Sequence, residues 1–218
     1  MDKNIDTAID AILDAILAEE GRMSPKKRLV VISAVQCFAE HGYAATSTRM
    51  ISDRAGVAEA TIFRHFGTKK ALMMRIAEPV VKRLLTPAAS AQAVVFQEKS
   101  ADFREFVRAI MLSRLAFADN YAPLVRIILQ EYMVNTDLRE MLKNHVGGVL
   151  EKMADEALRS FQTTGNMRDI PPKQLLQWCM SLLADYYMKR TILAPGDWDD
   201  EAEVDAMLDL VWNGIKLE

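Results

Sequence analysis

The chain has 218 residues, half of them hydrophobic, with only nine glycines, seven prolines and two cysteines. This size allows two small domains, and the scarcity of turn-forming residues favours an all-α fold. Two cysteines in apolar helical patterns exclude a disulfide framework, no apolar run is long enough to span a membrane, and the acidic N-terminus is unlike a secretory signal, so we expect a cytoplasmic protein.

Charge is distributed unevenly along the chain. The net charge is −3, but residues 24–75 hold nine Lys or Arg against three Asp or Glu. The first 23 residues hold two basic against six acidic residues, and the remainder holds 16 against 21. A basic block between acidic flanks predicts one module that faces a polyanion such as nucleic acid.

Residues 2–18 predict an amphipathic helix within an N-terminal extension over residues 1–22. Isoleucine recurs at positions 5, 9, 12 and 16, and aspartate recurs at positions 2, 6, 10 and 14 on another face. The acidic face argues against a membrane-surface helix. We expect the isoleucine stripe to dock on the protein's own dimer, and the alternative is a frayed extension.

Three helices are predicted in the next segment, residues 23–70. The first begins at Ser24-Pro25 and stops at Gly42, the second begins near Ser47, and the third covers Glu59–Phe66. A tight turn at Gly56 joins the last two, which makes a helix-turn-helix. Its expected small core consists of Ile51, Ala55, Val57, Ile62 and Phe66.

Residues 71–218 predict a larger helical domain. A fourth helix, capped by Thr68, contains Pro79 and is expected to kink near residues 75–78. Gly147-Gly148 interrupts one of the later helices. The predicted later helices cover residues 100–118, 120–134, 137–163, 172–194 and 199–217.

The helix-turn-helix segment resembles the N-terminal domain of the TetR family. The resemblance implies an all-helical dimer in which each subunit carries one recognition helix and a larger ligand-binding domain. The residues that carry it are Gly42-Tyr43, Ser47, Ile51, Ala55-Gly56-Val57, Thr61-Ile62-Phe63-Arg64-His65-Phe66, Thr68-Lys69 and Leu72.

The resemblance also implies which residues contact DNA. Ser47 would cap the second helix against a phosphate, and Lys69 falls on the family's phosphate-contacting lysine. The complete implied set is Ser47, Thr48, Arg49, Glu59, Ala60, Thr61, Phe63, Arg64, His65 and Lys69.

Three positions depart from the family pattern. Phe63 replaces a usual tyrosine, so one phenolic contact is missing. Ala58 replaces a usual hydroxyl residue, which removes a helix cap worth about 1 kcal/mol. Glu59 either accepts from a cytosine amino group or repels phosphate.

Large side chains in the C-terminal helices are candidates for a ligand pocket, with an ordinary helical core as the alternative. The candidates are Met111, Leu115, Tyr132, Trp178 and Tyr186. The three histidines share no metal-ligand spacing, and the sequence has no glycine-rich phosphate loop and no nucleophile motif. We therefore expect no metal, no cofactor and no enzymatic activity.

The last two helices carry apolar stripes that predict a dimer interface in a four-helix bundle. The stripes consist of Leu175, Leu176, Cys179, Leu182, Leu183 and Tyr186, and of Val204, Met207, Leu208, Val211 and Ile215.

The sequence thus predicts a homodimeric repressor that binds a palindromic DNA operator and is released by a small apolar or amphipathic effector. Three alternatives remain open: a regulator of the same fold controlled by a protein partner, an activator, and a helical enzyme with a vestigial helix-turn-helix. No membrane partner is expected.

Overall fold

The structure, a computed structural model, describes residues 3–85, 103–145 and 170–215. Every regular element within these ranges is helical, which confirms the predicted all-α fold. The helices are α1 (Lys3–Glu20), α2 (Pro25–Ala45), α3 (Thr48–Ala55), α4 (Glu59–Phe66), α5 (Lys69–Leu85), α6 (Phe103–Asn120), α7 (Ala122–Tyr132), α8 (136–145), α9 (Pro172–Met188) and α10 (Asp200–Ile215), with a π-helical turn (Lys189–Leu193) directly after α9.

Two sequence predictions fall partly or wholly beyond these ranges. The predicted 137–163 helix is described only up to residue 145, and Gly147-Gly148 lies outside the described residues.

Helix α5 continues without interruption through Pro79. Whether this proline acts as a hinge stays a prediction.

Local side-chain chemistry sets the helix starts in the first 70 residues. The Ser24 hydroxyl accepts from the backbone N–H of Lys27 at 3.4 Å, and Pro25 follows as the first helical residue. The Thr68 hydroxyl accepts from the N–H of Ala71 at 3.0 Å and caps α5. Gly42 has a φ of 77° and breaks α2 where the sequence predicts its end, but one further helical turn follows it.

The chain divides into two compact units. The first consists of Met1–Leu84 and Ala118–His145, and the second of Leu85–Phe117 and Val146–Glu218. The predicted boundaries at residues 22 and 70 therefore lie inside one packing unit. They delimit functional segments, and that assignment stays a prediction.

Helix α1 is an integral part of the first unit, where it packs against α2 and α7. Its stripe is buried, since Ile9, Ile12 and Ile16 are at most 5 % exposed. The aspartates at positions 6, 10 and 14 remain exposed. The isoleucine stripe is thus covered within its own chain, because an amphipathic helix is stabilised by burying its apolar face.

In the second unit, ion pairs hold α6 to α10. The Arg108 guanidinium donates to Asp205 at 2.8 Å and to Glu201 at 2.9 Å, and Arg104 pairs with Asp209 at 2.9 Å. Apolar side chains of α9 and α10 are also buried in this unit, as exemplified by Leu175, Leu183, Val204 and Leu208.

Both cysteines are free and buried, as the sequence predicts. Burial raises the pKa of the Cys179 thiol to about 11, so the reactive thiolate is scarce near neutral pH. None of the described helices has the length and apolar character needed to cross a lipid bilayer.

Candidate nucleic-acid interface

The turn between α3 and α4 has the geometry of a helix-turn-helix. Gly56 adopts a left-handed conformation with φ 64° and ψ 33°, and the N–H of Val57 donates to the carbonyl of Ser52 at 3.1 Å. Ile51 and Ile62 are completely buried between the two helices. Four of the five predicted core residues are buried, and Val57 is half-buried. The two helices are therefore fixed as one rigid unit.

The start of α3 presents polar groups to solvent. The Ser47 hydroxyl accepts from the N–H of Met50 at 3.1 Å and thereby caps the helix, which leaves its own hydrogen available to an acceptor such as a phosphate oxygen. The Arg49 side chain is 82 % exposed and lies 3.9 Å from Asp53. Both residues suit contact with a nucleic-acid backbone.

Helix α4 has an exposed face that is partly aromatic and partly basic. Phe63 is 50 % exposed, Ala60 and Arg64 are exposed, and Thr61 and His65 are half-buried. The predicted recognition residues of α4 thus share one accessible face.

Glu59 is held at the start of α4 by a neighbour. Its carboxylate accepts a hydrogen bond from the Thr48 hydroxyl, which joins the first residues of α3 and α4. The N-cap residue Ala58 makes no side-chain hydrogen bond, so the predicted missing cap is confirmed. An acidic residue in the first helical turn compensates in part, because it interacts favourably with the helix dipole.

The basic surface extends to the start of α2, which the sequence reasoning left out of the DNA-contact set. Desolvation and then the positive charges of Arg64, Lys27 and Lys26 lower the pKa of His65. Lys26 and Lys27 at the start of α2 therefore lie close enough to the end of α4 for their charges to act on His65. Lys26 and Lys27 lie in the first turn of α2, at a helix N-terminus that favours phosphate binding, and this local signal could have identified them.

The two lysines that begin α5 are both engaged within the chain. The Lys69 ammonium donates to the carbonyls of Tyr43 at 2.8 Å and Thr46 at 2.6 Å. The neighbouring Lys70 forms an ion pair with Asp137 at the start of α8. Both ammonium groups are therefore already bonded to other groups of the same chain.

Comparison with known proteins identifies this arrangement. Residues 32–76, which include α3, α4 and the start of α5, match the family described as "Bacterial regulatory proteins, tetR family". Residues 32–76 are therefore a helix-turn-helix segment of the TetR family type. The match covers the helix-turn-helix on which the sequence resemblance rested, so that identification is confirmed.

Two relatives match this chain over nearly its whole length. The HTH-type transcriptional repressor Rv1474c of Mycobacterium tuberculosis is 26% identical over 206 residues, which cover 90% of this chain and 96% of the relative. The HTH-type transcriptional repressor AcnR of Corynebacterium diphtheriae is 25% identical, covering 89% of this chain and 93% of the relative. These homologues are transcriptional regulators rather than enzymes.

A solved structure has the same fold. A protein from Saccharomonospora viridis, described as a transcriptional regulator and solved in complex with choline, has a TM-score of 0.64 and 18% identity. The alignment covers 88% of this chain and 97% of that protein. At this identity the likeness establishes a shared fold and not a shared ligand.

The five predicted pocket residues occupy different environments. Met111 and Leu115 are buried on α6, and Tyr186 is buried on α9 with its hydroxyl donating to Asp200. Tyr132 is 46 % exposed and Trp178 is 43 % exposed, so these two side chains lie at the protein surface. Tyr132 also belongs to the first packing unit, whereas the other four belong to the second. Their joint role in a pocket stays a prediction.

A cavity of about 820 Å³ lies in the first unit, and none of those five residues lines it. Side chains of α1, α2 and α7 form its walls, and Arg54 of α3 closes one side through an ion pair with Glu40. The polar lining includes Gln36, Arg126 and Gln130. The sequence pattern does not predict this cavity, because the helices that form its walls come together only in the folded unit.

Proposed function

We propose that this chain is a homodimeric transcriptional repressor of the TetR family that binds a palindromic DNA operator. The observation that carries the proposal is the exposed face of α4, where Phe63 and Arg64 are accessible and the positive charges of Arg64, Lys26 and Lys27 act on His65. An α-helix fits the major groove of B-form DNA, and flanking basic groups contact the phosphates. The repressor names of the two relatives support the same role.

The proposed DNA contacts divide into two classes. Thr61, Phe63 and Arg64 on α4 would face base edges, together with Ala60 at a position that admits a thymine methyl group. Ser47 and Arg49 at the start of α3 would contact phosphate and set the docking angle. Thr48 and Glu59 hold the two helix starts together and approach DNA as a bonded pair.

The proposed dimer interface lies on α9 and α10, within residues 71–218. Many residues of the predicted stripes are buried inside the protomer, including Cys179, Leu183 and Leu208. Other apolar side chains of these helices are exposed, above all Leu210 at 70 % and Trp178 at 43 %. Burial of these exposed side chains against a second copy would remove them from water, and a two-fold interface places the same helices face to face.

The proposed effector is a small apolar or amphipathic molecule that binds the larger domain and weakens operator binding. The choline complex of the S. viridis protein supports a small-molecule ligand as the class of effector. A coupling free energy of about 1–3 kcal/mol changes operator affinity by roughly 5- to 150-fold, which is enough for regulation.

Selection of bound sequences from random duplex DNA tests the proposal directly. A repressor dimer should enrich two inverted half-sites whose centres lie about one helical turn, or a multiple of it, apart. The double variant Phe63→Ala/Arg64→Ala should enrich nothing. The matched control Lys143→Ala, which removes one exposed cation from α8, should enrich the parent's sequence. Failure of the parent chain to enrich any sequence would contradict DNA binding.

A further inference from the structure

The Lys69 ammonium is enclosed by backbone carbonyls of the turn between α2 and α3. It lies 2.8 Å from the carbonyl oxygen of Tyr43, 2.6 Å from that of Thr46 and 3.4 Å from that of Ala44. The same ammonium lies 4.4 Å from the centre of the Tyr43 ring. An ammonium group has three N–H donors, and here three carbonyls surround it.

The turn that supplies these carbonyls has an unusual backbone. Gly42 leaves the helical conformation with a φ of 77°, and the chain then makes one more helical turn up to Ala45. The Thr46 hydroxyl, almost fully buried, lies 2.8 Å from the Gly42 carbonyl and 3.0 Å from the Cys37 carbonyl, so that it can donate to either. The carbonyl ends of a helical turn carry partial negative charge, which a lysine ammonium neutralises.

The burial of Lys69 agrees with a structural contact. Desolvation lowers the pKa of its ammonium, whereas the negative charge of Glu131 opposes that shift. The Tyr43 ring beneath it packs against Phe38 with ring centres 5.3 Å apart. The ammonium thus lies between a carbonyl cluster and an aromatic face, and both of these favour a cation.

We infer that Lys69 is a positioning residue, which holds the turn from Tyr43 to Thr46 and thereby the start of α3 in its DNA-binding geometry. Ser47, the capping residue of α3, directly follows Thr46, so displacement of the turn displaces the proposed phosphate contact. The inference rests on the proposed DNA-binding function. It differs from the role implied by the family resemblance, in which this lysine contacts a phosphate, because donors engaged by carbonyls are not available to phosphate oxygens.

Two variants separate a positioning residue from a phosphate contact. Lys69→Arg keeps the positive charge but replaces a compact ammonium with a planar guanidinium, which does not fit three carbonyls of one turn. Lys69→Met keeps the aliphatic stem over Tyr43 and removes the donors. Lys70→Met is the matched control, because the neighbouring lysine pairs with Asp137 and not with the turn.

The first measurement is amide hydrogen exchange of the free protein over residues 43–51. Positioning predicts faster exchange in both Lys69 variants and unchanged exchange in Lys70→Met, since the carbonyl contacts are lost in the absence of DNA. Unchanged exchange in both Lys69 variants would overturn the inference. This measurement needs no DNA, so it tests Lys69 even where the proposed DNA binding fails.

The second measurement is affinity for the selected operator as a function of salt concentration. Positioning predicts that Lys69→Arg weakens binding by roughly tenfold or more, because charged hydrogen bonds to the turn are lost, while the salt dependence stays that of the parent. A phosphate contact instead predicts that Lys69→Arg keeps the parent's affinity and that Lys69→Met lowers the salt slope by about one unit. Lys69→Arg decides the question even where Lys69→Met does not fold, since a phosphate contact tolerates arginine.

Discussion

The carboxylate of Glu20 accepts two hydrogen bonds from the guanidinium of Arg75, each at 2.6 Å. The two residues are 55 positions apart, and their contact joins the end of α1 to the middle of α5. The same guanidinium lies 5.7 Å from the ring centre of Phe66, the last residue of α4. Arg75 therefore connects the N-terminal helix to the end of the proposed recognition helix.

The Glu20–Arg75 pair should contribute modestly to stability. Both side chains are partly exposed, at 25% and 38%, so solvent screens their attraction, and we expect a coupling free energy of about 0.5–1 kcal/mol. Arg75→Ala should cost more than Glu20→Ala, because it also removes the contact with Phe66. Urea unfolding of both single variants and the double variant measures the coupling. Strictly additive effects would show that the pair contributes nothing.

Helix α1 should be required for folding of the first unit. Ile12 is completely buried, so Ile12→Ala should lower the free energy of unfolding by about 2–5 kcal/mol. The control Asp10→Ala alters an exposed position on the same helix and should change it by less than about 0.5 kcal/mol. Thermal and urea unfolding check both variants. Equal stabilities for the two would mean that α1 frays.

Removal of basic residues around α4 should change the salt dependence of operator binding. Lys26→Ala and Lys27→Ala should each weaken binding to all sequences and lower the slope of log affinity against log salt by up to about one unit, since each can neutralise one phosphate. Lys143→Ala on α8 serves as the charge-matched control. Fluorescence anisotropy at several salt concentrations provides the slopes. Parent slopes in both α2 variants would remove the start of α2 from the interface.

His65 should make operator binding depend on pH. Its pKa in the free protein lies below the ordinary value of 6.5 through desolvation and the charges of Arg64, Lys27 and Lys26. Bound phosphates favour the protonated ring and raise this pKa, so binding takes up a proton. Affinity should rise as the pH falls toward the lowered pKa of the free ring, and His65→Gln should reduce that rise. A pH profile identical in parent and variant would place His65 away from the phosphates.

The proposed dimer should depend on the apolar residues that α9 and α10 leave exposed. Leu210→Asp puts a charge where a second copy would bury leucine, and we expect it to shift the protein to monomer because an unpaired buried charge is costly. Met133→Asp changes a side chain that is 75 % exposed in the first unit and should leave assembly unaltered. Light scattering at micromolar concentration distinguishes the species. A Leu210→Asp protein that keeps the parent's mass would exclude this face.

The sequence by itself determined the local elements of the DNA-binding segment. The helix caps are local features, because each capping side chain bonds to a residue within about four positions, as at Ser24, Ser47 and Thr68. The left-handed Gly56 is equally local, so all of these features can be recognised from the neighbouring residues in the sequence. The exposed and buried faces of α1 follow in the same way from helical periodicity. These signals were sufficient to predict the helix-turn-helix and its resemblance to the TetR family.

Only the tertiary structure decided the partners of long side chains. Lys69 bonds to carbonyls 23 to 26 residues away, and Lys26 and Lys27 lie near His65 although almost 40 positions separate them. It also decided that Trp178 and Tyr132 lie at the surface while Tyr186 is buried. Periodicity indicates that a helix has an apolar face but not which neighbour covers it, because that choice depends on how helices distant in sequence pack together.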